Sequence, residues 1–202
     1  RTEIFLGCKR KEVSEINEKY ITKLSGKPIV LTAKHHHATQ KSYKPQINKK
    51  DGNIGNTAFQ NEVILKIGAK VMIINNIDVL DMLSNGQIGH LEDVIKSKEG
   101  KVEILVIRLK DNKAGKLNQE KFSHLRDQHP GCVFIERVQF QYNIRKRSGD
   151  VGSAAMLIQF PVKLSNAVTA HKIQGQTVPF PIKVAMDFRN AFQAAQTYVM
   201  LS

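Results

Sequence analysis

The residues best suited to chemistry lie in one run, Asn166–Thr177, which reads N-A-V-T-A-H-K-I-Q-G-Q-T. It offers a hydroxyl (Thr169), an imidazole (His171), an ammonium (Lys172) and amides (Gln174, Gln176) beside Gly175. Such groups suit backbone phosphates, which accept hydrogen bonds and attract positive charge. Ser165 is a plausible N-cap for a helix through Ile173, with Gly175 as its stop. On that helix Thr169 and Lys172 would share a face, as would Ala167 and His171. The competing reading is an ordinary helix with a polar face.

Other candidates carry weaker chemistry. His35, His36 and His37 could ligate a metal, but sequence neighbours rarely converge on one ion, and no carboxylate or thiol cluster accompanies them. Cys8 and Cys132 form no CxxC pair and suggest a reduced intracellular protein. Asn85–Gly86 is the dipeptide favoured in hairpin turns, so a turn and nothing more competes with any functional role. No G-x-x-x-x-G-K-[ST] phosphate loop occurs in the 202 residues.

The elements that must position these residues fall into three blocks. Glu3–Cys8 reads as a strand, and Val13, Ile16, Tyr20, Ile21 and Leu24 predict an amphipathic helix from about Lys11 to Leu24. Thr32–Asn61 is polar and turn-rich and is expected to be a long loop containing the histidines. From Val63 short strand-like runs alternate with turn formers: 63–67, 70–74, 87–95, 101–109, 132–135 and 138–144. That pattern predicts a small β-barrel over about 65–148. After Ser148–Gly149–Asp150 the α/β character returns, with strands at Met156–Phe160, Lys183–Met186 and Tyr198–Leu201 and a short helix at Asn190–Ala195. The expected layout is an α/β domain over 1–64 and 149–202, interrupted by a barrel at 65–148.

Charge names the partner class. Thirty-one Lys and Arg face 18 Asp and Glu, a net charge of +13, which points to a polyanion, with nucleic acid ahead of an anionic membrane. There is no apolar stretch of transmembrane length and no signal-like start. The absence of Trp and the low aromatic content argue against a recognition sheet built on base-stacking aromatics.

The run Ala167–Thr177 resembles the fifth motif of the RecD-like and Pif-like superfamily 1 DNA helicases, A-x-T-x-H-K-x-Q-G-x-T, at every fixed position. Lys70–Gly89 is similar to the same family's V-M-x-x-x-N … L-x-N-G-x-x-G stretch. Ile4–Leu24 is similar to its fourth motif, with Val13, Ile16 and Asn17 in place. Phe188–Ser202 looks like the approach to the sixth.

The resemblance implies a RecA-like second motor domain, without the P-loop itself, carrying an inserted Src-homology-3-like barrel. It implies that Thr169 and His171, and less strongly Lys172, touch the backbone of single-stranded DNA, with Asn85 and Gly86 bordering the channel. It places Gln174, Gly175, Gln176 and Thr177 at a nucleotide cleft. The implied whole protein is an ATP- and Mg2+-dependent 5′-to-3′ helicase acting on single strands and forks, monomeric, not membrane-bound, in the nucleus or alternatively the mitochondrion. The first RecA-like domain, joined in cis, would precede Arg1, and a charge-stabilising arginine would follow Ser202. On that expectation the 202 residues alone hydrolyse no ATP and bind none. The rival reading is a nucleic-acid-binding remnant of a helicase or transposon protein that has lost its motor.

Overall fold

The computed structural model describes residues 4–7, 9–37, 45–48, 52–55, 57–145, 151–169 and 183–186. In chain order the elements are β1 (Ile4–Gly7), α1 (Arg10–Lys23), β2 (Ile29–Thr32), β3 (Lys34–His37), β4 (Glu62–Leu65), β5 (Lys70–Ile73), β6 (Ile88–Lys96) and β7 (Val102–Leu109). Then come α2 (Lys116–Lys121), α3 (Ser123–Arg126), β8 (Val133–Ile135), β9 (Val138–Arg145), β10 (Val151–Gln159), β11 (Val162–Leu164), β12 (Ala167–Thr169) and β13 (Val184–Met186). No helix among them is long and apolar enough to cross a membrane.

One sheet is parallel. β1 lies between β12 and β13, pairing Phe5 with Ala167 on one side and with Ala185 on the other. Parallel strands need long crossovers, and here α1 and most of the chain intervene. The helix begins within a residue of the predicted start and lies against β1 and β12.

A second sheet is antiparallel and five-stranded, in the order β11-β5-β6-β7-β8. Its inward side chains form the main core, with Val71, Ile73, Leu91, Leu105, Ile107 and Val133 all buried. The sheet draws on 70–135 and 162–164, where strand spacing alone predicts one barrel over 65–148. β4 pairs instead with β2, and β9 joins β10 and β3. Strand spacing reports that strands exist, whereas partner choice depends on burying each apolar face.

The predicted 32–61 loop contains β3. Its pleat turns His35 and His36 to opposite faces, and His35 Nε2 lies 2.9 Å from Asn61 Oδ1. Neighbouring histidines on a strand therefore do not aim at a common ion. Between the β2–β4 pair and the β3-β10-β9 sheet sits a polar hub. Buried Gln159 donates to Leu31 O and accepts from the Phe160 N–H and from Arg137, whose guanidinium covers the Phe160 ring. Burial holds the Arg137 pKa below its ordinary value.

The expected helix from Ser165 is not formed over its first turn. Ala167–Thr169 is a strand, and Ser165 N–H bonds Lys70 O instead of starting a helix. Val168 and Thr169 are β-branched, and the edge of β1 offers a full set of backbone partners. The argument that Thr169 and Lys172 share a helical face therefore fails. The predicted elements at Asn190–Ala195 and Tyr198–Leu201 lie outside the described residues.

Candidate nucleic-acid interface

Thr169 is the last residue of β12 and pairs with Gly7, the last residue of β1. Both strands run in the same direction, so the two residues share the C-terminal edge of the parallel sheet. That edge is where open α/β sheets hold their ligands, because loops diverge there and leave a crevice. Thr169 is half-buried, its hydroxyl able to donate and accept.

Three consecutive cations, Lys9, Arg10 and Lys11, stand at the same edge, where β1 gives way to α1, and all three are exposed. The helix N-terminus adds partial positive charge of its own. These lysines and this arginine were not singled out in the sequence. Their signal is positional: basic residues directly after a parallel strand. Gly7 permits the close turn, since a Cβ there would stand 3.0 Å from Val13 Cγ2.

Asn17 sets the position of β12. Its Nδ2 donates to Ala167 O and its Oδ1 accepts from the Ala167 N–H, both at 2.9 Å. Both residues are buried. Ala167 sits on the edge of the parallel sheet away from β13, so the side-chain amide acts as a missing strand would, satisfying donor and acceptor together. The sequence signal was a polar residue on the apolar stripe of α1, in line with Val13 and Ile21.

Asn85–Gly86 belongs to another element, the long connection between β5 and β6. Gly86 has φ +107°, and Gln87 N–H bonds Ser84 O, which makes a tight turn needing glycine at its third position. The turn stands at the base of the excursion and not at a hairpin tip. It is linked to Thr169 through packing: Met72 of β5 and Ile88 of β6 cluster with Val168, Ile4 and Leu6. The strand preceding Thr169 and the base of this turn thus rest on one apolar patch. His171, Lys172, Gln174, Gly175, Gln176 and Thr177 lie outside the described residues.

Cys132, just before β8, is buried against Val106, Phe122 and Phe134, and burial pushes its thiol up while Arg108 pulls the other way. A protonated, enclosed thiol is a poor nucleophile. No group of three metal-ligating side chains occurs among the described residues.

A parallel sheet whose C-terminal edge carries a hydroxyl and cations, joined to an antiparallel five-stranded sheet, defines an α/β fold of the helicase type. Solved structures agree. The chain superposes over its full length on the Candida albicans Pif1 helicase crystal structure, with TM-score 0.65, 22% identity and 42% of that chain covered. Over 98% of its length it matches Pif1 helicase from Bacteroides in complex with ADP-AlF3 and ssDNA, with TM-score 0.60, 19% identity and 37% of that chain covered. No family model matches the chain. Among curated proteins it is 29% identical to the ATP-dependent DNA helicase Pif1 of Campylobacter jejuni over 205 residues, 95% of this chain and 38% of that protein. It is 30% identical over 154 residues to the ATP-dependent DNA helicase PIF7 of Trypanosoma brucei, 69% of this chain and 14% of that protein. The chain resembles Pif-like helicases along nearly its whole length, and it spans well under half of each of these relatives.

Proposed function

We propose that this chain is the C-terminal part of an ATP-dependent 5′-to-3′ DNA helicase, in which it grips single-stranded DNA and walls part of the ATP cleft. The observation that carries the reading is the placement of Thr169. It ends a strand at the ligand-bearing edge of a parallel sheet, clamped by Asn17, beside three cations, and it opens the run His171–Thr177.

In this reading Thr169, His171 and Lys172 hold the DNA backbone, with Asn85 and Gly86 bordering the channel. Gln174, Gly175, Gln176 and Thr177 face the nucleotide. The five-stranded sheet is the inserted Src-homology-3-like barrel. The phosphate loop absent here belongs to a first RecA-like domain in cis, which supplies the ATP and Mg2+ site. ATP binding closes the two domains and hydrolysis reopens them, so each cycle shifts the grip along the strand. The 202 residues alone bind DNA but turn over no ATP. The whole protein works as a monomer on single strands and forks, inside the nucleus or the mitochondrion. That the curated relatives and solved structures are Pif1-type helicases, one of them with ADP-AlF3 and ssDNA, supports the nucleotide and DNA assignments.

Backbone contacts make binding salt-dependent. Each phosphate neutralised on a single strand contributes about −0.7 to the slope of log affinity against log salt. With roughly three contacts on this half of the track, affinity should fall on the order of tenfold between about 50 and 200 mM salt. Fluorescence anisotropy on a short oligonucleotide measures this, and a flat salt profile would refute the basic edge. The decisive experiment uses the protein with its first motor domain. His171→Ala should lower DNA-stimulated ATPase by about tenfold or more while basal ATPase stays near wild type, the loss expected when one charge-assisted contact goes. Equal loss of both activities would remove His171 from the DNA track.

A further inference from the structure

The connection between β5 and β6 carries a second surface that the motor reading leaves unused. Its tip, Asp78–Met82, exposes Val79 (67%), Leu80 (91%) and Met82 (43%). Leu117 of α2, 52% exposed, is tied to the same tip. Single exposed apolar residues are common, but four on one knuckle form a patch.

The knuckle is held in shape. Leu83 is buried in the main core and Ile77 packs against it. Ile77 and Asp78 N–H groups both bond Leu83 O, and Leu83 N–H bonds Asp78 O. Asp78 Oδ1 accepts from the N–H groups of Leu80 and Asp81. The buried Asp81 carboxylate accepts from the N–H groups of Leu117 and Asn118, locking the tip to the first turn of α2. Met82 has φ +56°, the one described residue other than glycine in the left-handed region. Such backbone strain persists only where the surroundings enforce it. A surface already ordered loses little freedom on binding.

Charge selects the occupant. Both carboxylates of the loop are spent on backbone donors, while exposed Lys113 and Lys116 stand just before Leu117. An apolar tip with a basic shoulder matches a polyanion that has apolar faces, which describes an unpaired nucleic-acid strand: bases for Leu80 and Met82, phosphates for the lysines. We infer that the Val79–Met82 knuckle is a base-contacting surface, at which Leu80 and Met82 pack against unstacked bases of the strand. This rests on the reading that the chain holds single-stranded DNA.

The test compares binding of the whole chain to an oligothymidylate and to an abasic strand of equal length, which keeps the phosphates and lacks the bases. Wild type should prefer the base-bearing strand by about tenfold, the gain expected from covering one leucine-sized side chain. Leu80→Ser combined with Met82→Asn should abolish that preference while leaving abasic binding and its salt slope unchanged. Asn tolerates the left-handed conformation, so the fold is spared. Equal wild-type binding to both strands, or an undiminished preference in the variant, would overturn the proposal. So would a variant that loses self-association in sedimentation while keeping its preference for bases, because the knuckle would then be a protein interface. Absence of wild-type binding to either strand at low salt would instead sink the DNA-gripping reading, and this proposal with it.

Discussion

Asn17→Ala should destabilise the protein by about 2–4 kcal/mol and loosen the strand that presents Thr169. Truncation leaves the Ala167 N–H and C=O without their partner, both of them buried, and each orphaned group costs about 1–3 kcal/mol. Chemical denaturation measures the loss. A cost below about 0.5 kcal/mol, the range of ordinary surface changes, would show that the clamp does not hold β12.

Asn17→Asp sharpens the test through pH. A neutral carboxyl can donate to Ala167 O and accept from the Ala167 N–H, whereas an ionised one cannot donate and faces a carbonyl oxygen. Burial and this carbonyl both favour the protonated form, so the folded pKa of the introduced group is raised above its unfolded value of about 4. Stability from such a group is fully present below its unfolded pKa and is lost as pH rises through the folded one. The gap between Asn17→Asp and wild type should therefore be widest near neutrality and close towards about pH 4. A gap that does not change with pH would mean that Ala167 O needs no donor.

Gly89→Val should cost about 3 kcal/mol or more, and Gly89→Ala about 1–3 kcal/mol. A Cβ at Gly89 would stand 2.5 Å from Arg108 O and 2.7 Å from Ile107 Cγ2. The first of these is backbone of the paired strand β7 and cannot swing away. Gly86 makes a different demand: its φ of +107° strains any side chain. Replacing it with alanine should cost less, about 1–2 kcal/mol. Thermal melting of the three variants orders them. If Gly89→Val proved as mild as the alanine change at Gly86, β6 and β7 would not approach as closely as described.

These two glycines illustrate what the sequence could and could not convey. The N-G-x-x-G spacing marked both positions as similar to a helicase stretch, yet it assigned them no separate tasks. One serves a turn and the other serves strand contact, a distinction that depends on Arg108, 19 residues away in the chain. Asp81 was equally silent, being one more polar residue in a turn-rich stretch until α2 arrived with two unpaired N–H groups.

Local pattern by itself determined β1, α1, the strands from β4 to β9, β13 and the eleven-residue run that signals a helicase, because apolar periodicity and residue type act within a few neighbours. Tertiary structure decided the rest. Ser165 and the residues after it read as a helix start, but Ala167–Thr169 forms a strand, since β1 on one side and the Asn17 amide on the other supply its backbone partners from about 150 residues away. Pairing across such distances leaves no periodic trace in the chain. It is this pairing that brings Thr169, Gly7 and the cations at Lys9–Lys11 to one edge.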